Sequence, residues 1–264
     1  MTSPFDAPVP DPASDRISDP APGTTAAPAS APTPEERDSR EQFVLPLLVR
    51  MERATPPGRT DALETSARAV LTLLNDPRTV EPEGEWAERV AAWEDARIRK
   101  VVRRARGGEW RRAGELPGIT VTGSEAEVRV FPPVPLDGWP KELAKLQVSG
   151  TDLEETGPVG PPAPGVPVLW LNPELEMSAG KTMAQTGHAA QLAWWRLDEV
   201  RRKEWAEGGF ALAVRTATPE AWAELVVSDL PVVRDAGFTE IAPGPTVVVE
   251  GGTRYCPTPR LRRP

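Results

Sequence analysis

The run Gly180-Lys181-Thr182-Met183-Ala184-Gln185-Thr186-Gly187-His188-Ala189 sets a lysine, a glutamine and the only histidine of the chain on what reads as the first two turns of a helix. At about 100° per residue, Lys181, Gln185 and His188 share a sector of roughly 60°, which Leu192 and Trp195 continue. Periodicity therefore turns three polar side chains toward the core side, where polar groups need partners or a purpose. A lysine at a helix start stands beside free backbone N–H groups and the positive end of the dipole, where a phosphate or a developing oxyanion can be held. The Gly180-Lys181-Thr182 triplet is not a Walker loop. That loop needs glycine five residues before the Gly-Lys pair, and Leu175 stands there, flanked by Glu174 and Glu176, which would repel a triphosphate. A histidine beside an acid could activate a hydroxyl in a serine-type triad, but no Gly-x-Ser-x-Gly elbow accompanies His188.

The elements that must position this run are legible around it. Val166 to Leu171 reads as an apolar strand, 172 to 180 as a turn, and Lys181 to Trp205 as one long helix. Phe210 to Val214 is a second strand. Pro219 opens a helix whose Trp222, Leu225 and Val226 share a face. Leu230 to Val233 and Thr246 to Glu250 add two strands, joined by a loop carrying Arg234-Asp235-Ala236-Gly237-Phe238-Thr239. The β-α-β-α-β-β order predicts an α/β fold with a small mixed four-stranded sheet flanked by helices.

Upstream, Phe43 to Arg50 reads as a buried strand, Arg59 to Leu74 and Trp86 to Lys100 as helices, and Ile119 to Phe131 as extended chain. Residues 1–40, rich in Pro, Ala, Ser, Thr and Asp, bury too little apolar surface to offset ordering entropy and should form a disordered tail. Residues 151–165 form a Pro/Gly linker between a first domain, 41–150, and a second, 166–256; residues 257–264 form a basic tail.

With 264 residues and 39% apolar side chains the chain can build substantial cores. No window approaches the roughly 18 apolar residues of a membrane span, and the N-terminus lacks the order of a secretory signal, so a cytoplasmic protein without membrane contact is expected. One cysteine, Cys256, excludes an intramolecular disulfide, and a single histidine excludes the usual Cys/His zinc sets; no metal is expected. The net charge of −8 opposes a surface that grips nucleic acid everywhere, yet residues 1–40 hold seven acidic side chains against three arginines. Positive charge clusters between Arg97 and Arg112, between Arg196 and Lys203, and at Arg260 to Arg263.

Met177-Ser178-Ala179-Gly180-Lys181, Ala184-Gln185 and His188-Ala189, followed about fifty residues later by Arg234-Asp235-Ala236-Gly237-Phe238-Thr239-Glu240-Ile241-Ala242-Pro243-Gly244, closely resemble the two signature blocks of peptidyl-tRNA hydrolase type 2. The resemblance covers roughly Val166 to Gly251. It implies hydrolysis of the ester joining a peptide to the 3′ end of tRNA, without metal or other cofactor, by a family that is usually dimeric. Carried over by position, it implies a catalytic cluster of Lys181, Gln185, Asp235 and Thr239, with His188 beside it. Phe238 replaces an arginine common in the second block, and Pro245 a small hydroxyl residue. The rival reading is a non-catalytic RNA-binding or protein-interaction module that keeps the fold.

The first half echoes the second. Gly58-Arg59-Thr60-Asp61-Ala62 aligns with Gly180-Lys181-Thr182-Met183-Ala184, Val102-Arg103-Arg104-Ala105 with Val214-Arg215-Thr216-Ala217, and Trp110 with Trp222. In that alignment Arg59 stands for Lys181, Leu63 for Gln185, Ser66 for His188, Val121 for Asp235 and Glu125 for Thr239. The expectation is a duplicated α/β domain whose first copy has lost the chemistry and replaces the partner subunit, giving a monomer that is an intramolecular pseudo-dimer. Arg103, Arg104, Arg106 and Arg234 are the expected tRNA-phosphate contacts.

Overall fold

The structure, a computed structural model, describes residues 39–237 and 240–251, all within the compact unit Thr33–Pro264. Phe238, Thr239, Cys256, the basic tail and all but the last two residues of the expected N-terminal tail lie outside the described residues. In the first half the order is β1 (Phe43–Arg50), α1 (Arg59–Asn75), α2 (Pro77–Val80), α3 (Ala87–Asp95), β2 (Arg99–Ala105), α4 (Gly107–Gly114), β3 (Ile119–Thr122), β4 (Glu127–Val130), β5 (Val134–Pro135) and α5 (Lys141–Ala144). In the second it is β6 (Val168–Leu171), α6 (Ala179–Arg196), α7 (Glu199–Glu207), β7 (Ala213–Thr216), α8 (Pro219–Leu225), β8 (Val232–Asp235) and β9 (Gly244–Glu250).

Two sheets result, with the same wiring. The first runs β2-β1-β4-β3, with β5 also on β1; the second runs β7-β6-β9-β8. In each, the opening strand is parallel to the second and antiparallel to the last, which closes a hairpin with the third. The helical crossover that a parallel pair requires includes α1 in one half and α6 in the other. Sequence order and sheet order thus agree between the halves, a likeness of topology that fits the repeat seen in sequence.

Three departures from the sequence expectation have local causes. The helix expected over Trp86 to Lys100 stops at Asp95, and Arg99 starts edge strand β2. The basic residues of that strand hid its alternation, because Lys100 is buried beside Val102 instead of solvated. The long helix expected to reach Trp205 breaks at Leu197, where Asp198 caps α7 by accepting from Arg201 N at 2.9 Å. The expected linker is only partly one. Thr151 and Leu153 are buried, Arg59 N donates to Glu154 O, and Thr60 donates from N and Oγ1 to Glu155, so 151–156 form a strap across the start of α1.

Helices α1 and α6 pack side by side between the sheets, each on its own sheet and against the edge strand of the other. One continuous core joins Leu47, Val49, Val70, Val128 and Val130 of the first half to Leu169, Met183, Ala189, Val214, Val247 and Val249 of the second. Smaller clusters seal the outer sheet faces: Leu48, Phe131, Leu143 and Trp110 on one side, Trp222, Val248 and Trp170 on the other. Gly187 lets the helices meet closely, since a Cβ there would stand 3.0 Å from Val70 and 3.2 Å from the Lys100 stem, which would have to shift to admit it. At the crossing, Ser66 Oγ donates to Met183 O at 3.1 Å and Thr186 Oγ1 donates to Leu63 O at 3.3 Å. This reciprocal pair matches Ser66 with Thr186 and Leu63 with Met183, as two-fold packing demands. The correspondence is two residues off the one read from sequence, which had set Ser66 against His188 and Leu63 against Gln185.

Candidate active site

The site is built where the start of α6 meets the end of β8. Ser178 caps α6, its Oγ accepting from Lys181 N at 3.2 Å, a cap worth about 1 kcal/mol. Ser178 itself donates to Glu240, from N at 3.1 Å and from Oγ at 2.8 Å, which ties the loop after β8 to the helix start. Gly237 makes that loop fold. Its φ of +79° is open to glycine, and a Cβ would lie 2.6 Å from the Pro243 ring. Its N–H donates to Asp235 Oδ1 at 2.8 Å, the Asx-type turn expected of this spacing.

Asp235 then collects the helix. Lys181 Nζ lies 2.5 Å from Asp235 Oδ2, and Gln185 Nε2 donates to the same oxygen at 2.8 Å. The pair is shielded, with 14% of the lysine side chain and 9% of the aspartate side chain exposed. Burial raises the carboxyl's pKa, but the hydrogen bonds from Lys181, the Gly237 N–H and Gln185 outweigh it and hold Asp235 below the ordinary carboxylate range. The site therefore presents an ionised acid against an ammonium, at the positive end of an 18-residue helix.

Thr246 is the site residue that sequence reasoning missed. Fully buried on β9, it donates from Oγ1 to Gln185 Oε1 at 2.7 Å. A carboxylate only accepts, so Gln185 must turn Nε2 to Asp235 and Oε1 to Thr246, and the hydroxyl must donate. The polarity of the chain Thr246, Gln185, Asp235 is thus fixed. A register shift in the β8–β9 ladder after Val233, where Arg234 pairs with Pro245, leaves Thr246 extra in β9 and turns it inward. The only sequence signal was a lone threonine before an apolar run. Asn172, after β6, braces the same turn by donating from Nδ2 to Pro245 O at 3.1 Å.

His188 is placed differently from Lys181 and Gln185. It lies in the seam between the halves, its Nδ1 3.3 Å from Lys100 Nζ of β2. Lys100 donates to Gln191 Oε1 at 2.6 Å, and Gln191 Nε2 and Trp195 Nε1 both reach Glu94 Oε1. Burial, then the charges of Lys100 and Lys181, push the imidazole well below its ordinary pKa. A neutral ring accepting from Lys100 satisfies that geometry. Thr239, expected in the cluster, lies outside the described residues.

The expected phosphate contacts divide. Arg103 donates to Ala144 O and Leu146 O and lies 4.4 Å over the Trp139 ring, while Arg104 donates to Ser149 O and Gln147 Oε1. Both guanidinium groups hold the 144–149 segment to β2. Arg106 and Arg234 are exposed.

The first half has no such cluster in the corresponding place. The strand row Val121, Val128, Val49 matches the row Val233, Val247, Leu171, which puts Gly123 where Asp235 stands and leaves Val121 opposite Val233. A Cβ on Gly123 would point at Asp61 Oδ1, 2.3 Å away, and Thr65 Oγ1, 2.4 Å away. Asp61 and Thr65 are the helix counterparts of Lys181 and Gln185 under the reciprocal packing. Arg59, the sequence counterpart of Lys181, instead precedes it by a turn fraction and points to Thr182. Asp61 accepts from the backbone N–H groups of Ser124, Glu125 and Ala126 at 3.0, 2.7 and 2.7 Å and so caps the β3–β4 turn.

Among the described residues no three His, Cys, Asp or Glu side chains converge to hold a metal ion, and no helix is long and apolar enough to cross a membrane. No curated protein matches the chain. The half that carries the Lys181–Asp235 cluster does match a family model, peptidyl-tRNA hydrolase PTH2, over residues 166–253, the C-terminal part of the chain.

Proposed function

We propose that the chain hydrolyses the ester bond of peptidyl-tRNA, releasing peptide and free tRNA. The observation that carries this reading is the shielded Lys181–Asp235–Gln185 cluster, fixed by Thr246, inside the segment that matches the hydrolase family. Ester hydrolysis needs a positioned water, an acceptor for its proton and positive charge facing the tetrahedral oxyanion. Water oxygen adds to the ester carbonyl carbon while Asp235 orients Lys181 and accepts the water's proton. Lys181, with Thr239, stabilises the oxyanion, and Gln185 positions the water or the carbonyl. Collapse of the intermediate breaks the bond to the ribose oxygen, which takes up the proton and leaves as the tRNA hydroxyl.

The first half serves as a built-in partner in this reading, a pseudo-dimer within one chain. Its support is the matched strand order and the reciprocal Ser66–Met183 and Thr186–Leu63 bonds. Arg106 and Arg234, both exposed, are the proposed phosphate contacts. The test is incubation of the full chain with peptidyl-tRNA and with an N-blocked aminoacyl-tRNA, comparing wild type with Asp235→Asn. Release by wild type and its loss in the variant are expected; equal release by both would sink the assignment.

A further inference from the structure

A cleft of about 150 Å³ is lined by Arg59, Leu63, Glu155, Leu171, Val214 and Thr216, among others. Both halves build it: Arg59 and Leu63 come from α1, Glu155 from the strap, and Val214 and Thr216 from β7. Its volume is below that of a drug-sized site and suits one ring system. Its lining mixes apolar side chains (Leu63, Val159, Leu171, Val214) with a carboxylate, hydroxyls and guanidinium groups.

The charges in that lining are unequal in their engagement. Arg215, which also lines the cleft, is held by Glu64 at 2.9 Å and by Gly160 O at 3.0 Å. Glu155 accepts twice from Thr60. Arg59, among the described residues, has no carboxylate within ion-pair distance, and its bond to Thr182 Oγ1 is long, 3.4 Å. Its cation also sits at the positive end of α1, where a basic side chain is disfavoured. A planar cation without a carboxylate partner, in a cleft that also offers apolar side chains and hydrogen-bonding groups, matches what a splayed nucleobase requires: a guanidinium plane to stack on and polar atoms for its edge.

We propose that this cleft seats the unpaired nucleobase at the 3′ end of tRNA, with Arg59 of the first half stacking on the base. Thr182, which Arg59 touches, directly follows Lys181, so base and ester of one nucleoside straddle the start of α6. The inference rests on the peptidyl-tRNA reading and adds to it that the site draws on both halves of the chain.

The test titrates the RNA trinucleotide CCA into the full chain, followed by NMR, for wild type, Arg59→Ala and Arg59→Lys, with melting curves to verify folding. Loss of stacking should weaken trinucleotide binding about tenfold in Arg59→Ala, and nearly as much in Arg59→Lys, which keeps the charge but not the plane. Absence of binding by wild type, or equal affinity in Arg59→Ala, overturns the proposal, as does full affinity in Arg59→Lys. Trinucleotide binding lost with Arg59→Ala in a wild type that releases no peptide would refute the hydrolase reading and leave the base site standing.

Discussion

Thr246→Val is the sharpest test of how the site is held. The substitution keeps the side-chain shape and removes one hydroxyl. Thr246 is 0% exposed and Gln185 3% exposed, so no solvent replaces the lost donor to Gln185 Oε1. A buried acceptor left unpaired costs about 1–3 kcal/mol. For a chain of this size about 2 kcal/mol lowers Tm by roughly 4–8 °C. The functional cost is separate. With Oε1 unpinned, the amide can rotate, and the hydrogen bond from Gln185 Nε2 to the Asp235 carboxylate is lost part of the time. Bonds to charged groups contribute about 1.5–3 kcal/mol, so the turnover of peptidyl-tRNA should fall roughly 10- to 100-fold. Thr246→Ser, which restores the donor, should recover most of the rate. The assay is single-turnover release of labelled peptide alongside a thermal melt for each variant. Wild-type turnover in a Thr246→Val protein with a lowered Tm would refute the claim that the threonine acts through Gln185.

Lys181→Ala and Asp235→Asn should each abolish peptide release with little change in circular dichroism, because the pair is a local contact at a helix end. Asp235 has a folded pKa below its unfolded one, so its stabilising contribution is present above the unfolded value of about 3.9 and is lost as pH falls through the lower folded value; Lys181→Met should move the acid limb of activity upward. His188 is likewise depressed: the unfolded chain takes the proton first, stability falls as pH drops below about 6.5, and His188→Gln should flatten urea midpoints measured between pH 7.5 and 5.5. Gly123→Ala should destabilise the first half by more than about 1 kcal/mol, since its Cβ meets Asp61 and Thr65, and Asp61→Ala in the same chain should relieve part of that loss, read as denaturant midpoints.

The second half was legible because its chemistry and its periodicity coincide. Lys181, Gln185 and Asp235 stand on recognisable punctuation, a Ser178 cap before an apolar-faced helix and an Asp-Ala-Gly turn after a short strand, and the structure brings these three together. Strand β1 and helix α1 were read within a residue, since continuous burial in one and the 3.6-residue period in the other leave little choice. What escaped reading depends on partners distant in sequence. Lys100 is a strand residue only because Gln191 and His188 of α6 give its ammonium partners, and Arg103 leaves solvent only because Trp139 and two carbonyls receive it. Thr246 acquires its role from a ladder irregularity, which no periodicity marks.

The two corresponding places in the molecule explain each other. In the second half the helix contributes a cation and an amide, and the strand end contributes the acid that gathers them. In the first half the acid stands on the helix as Asp61, and the strand end is Gly123, whose missing side chain leaves the room that Asp61 fills. The carboxylate there accepts from three backbone N–H groups of the β3–β4 turn, with Arg68 4.0 Å away, so its hydrogen bonds are spent within the fold. The two places share sheet order and reciprocal helix packing and differ in where the negative charge stands. The first half presents α1 to its neighbour, and the start of that helix, at Arg59, reaches the first turn of α6.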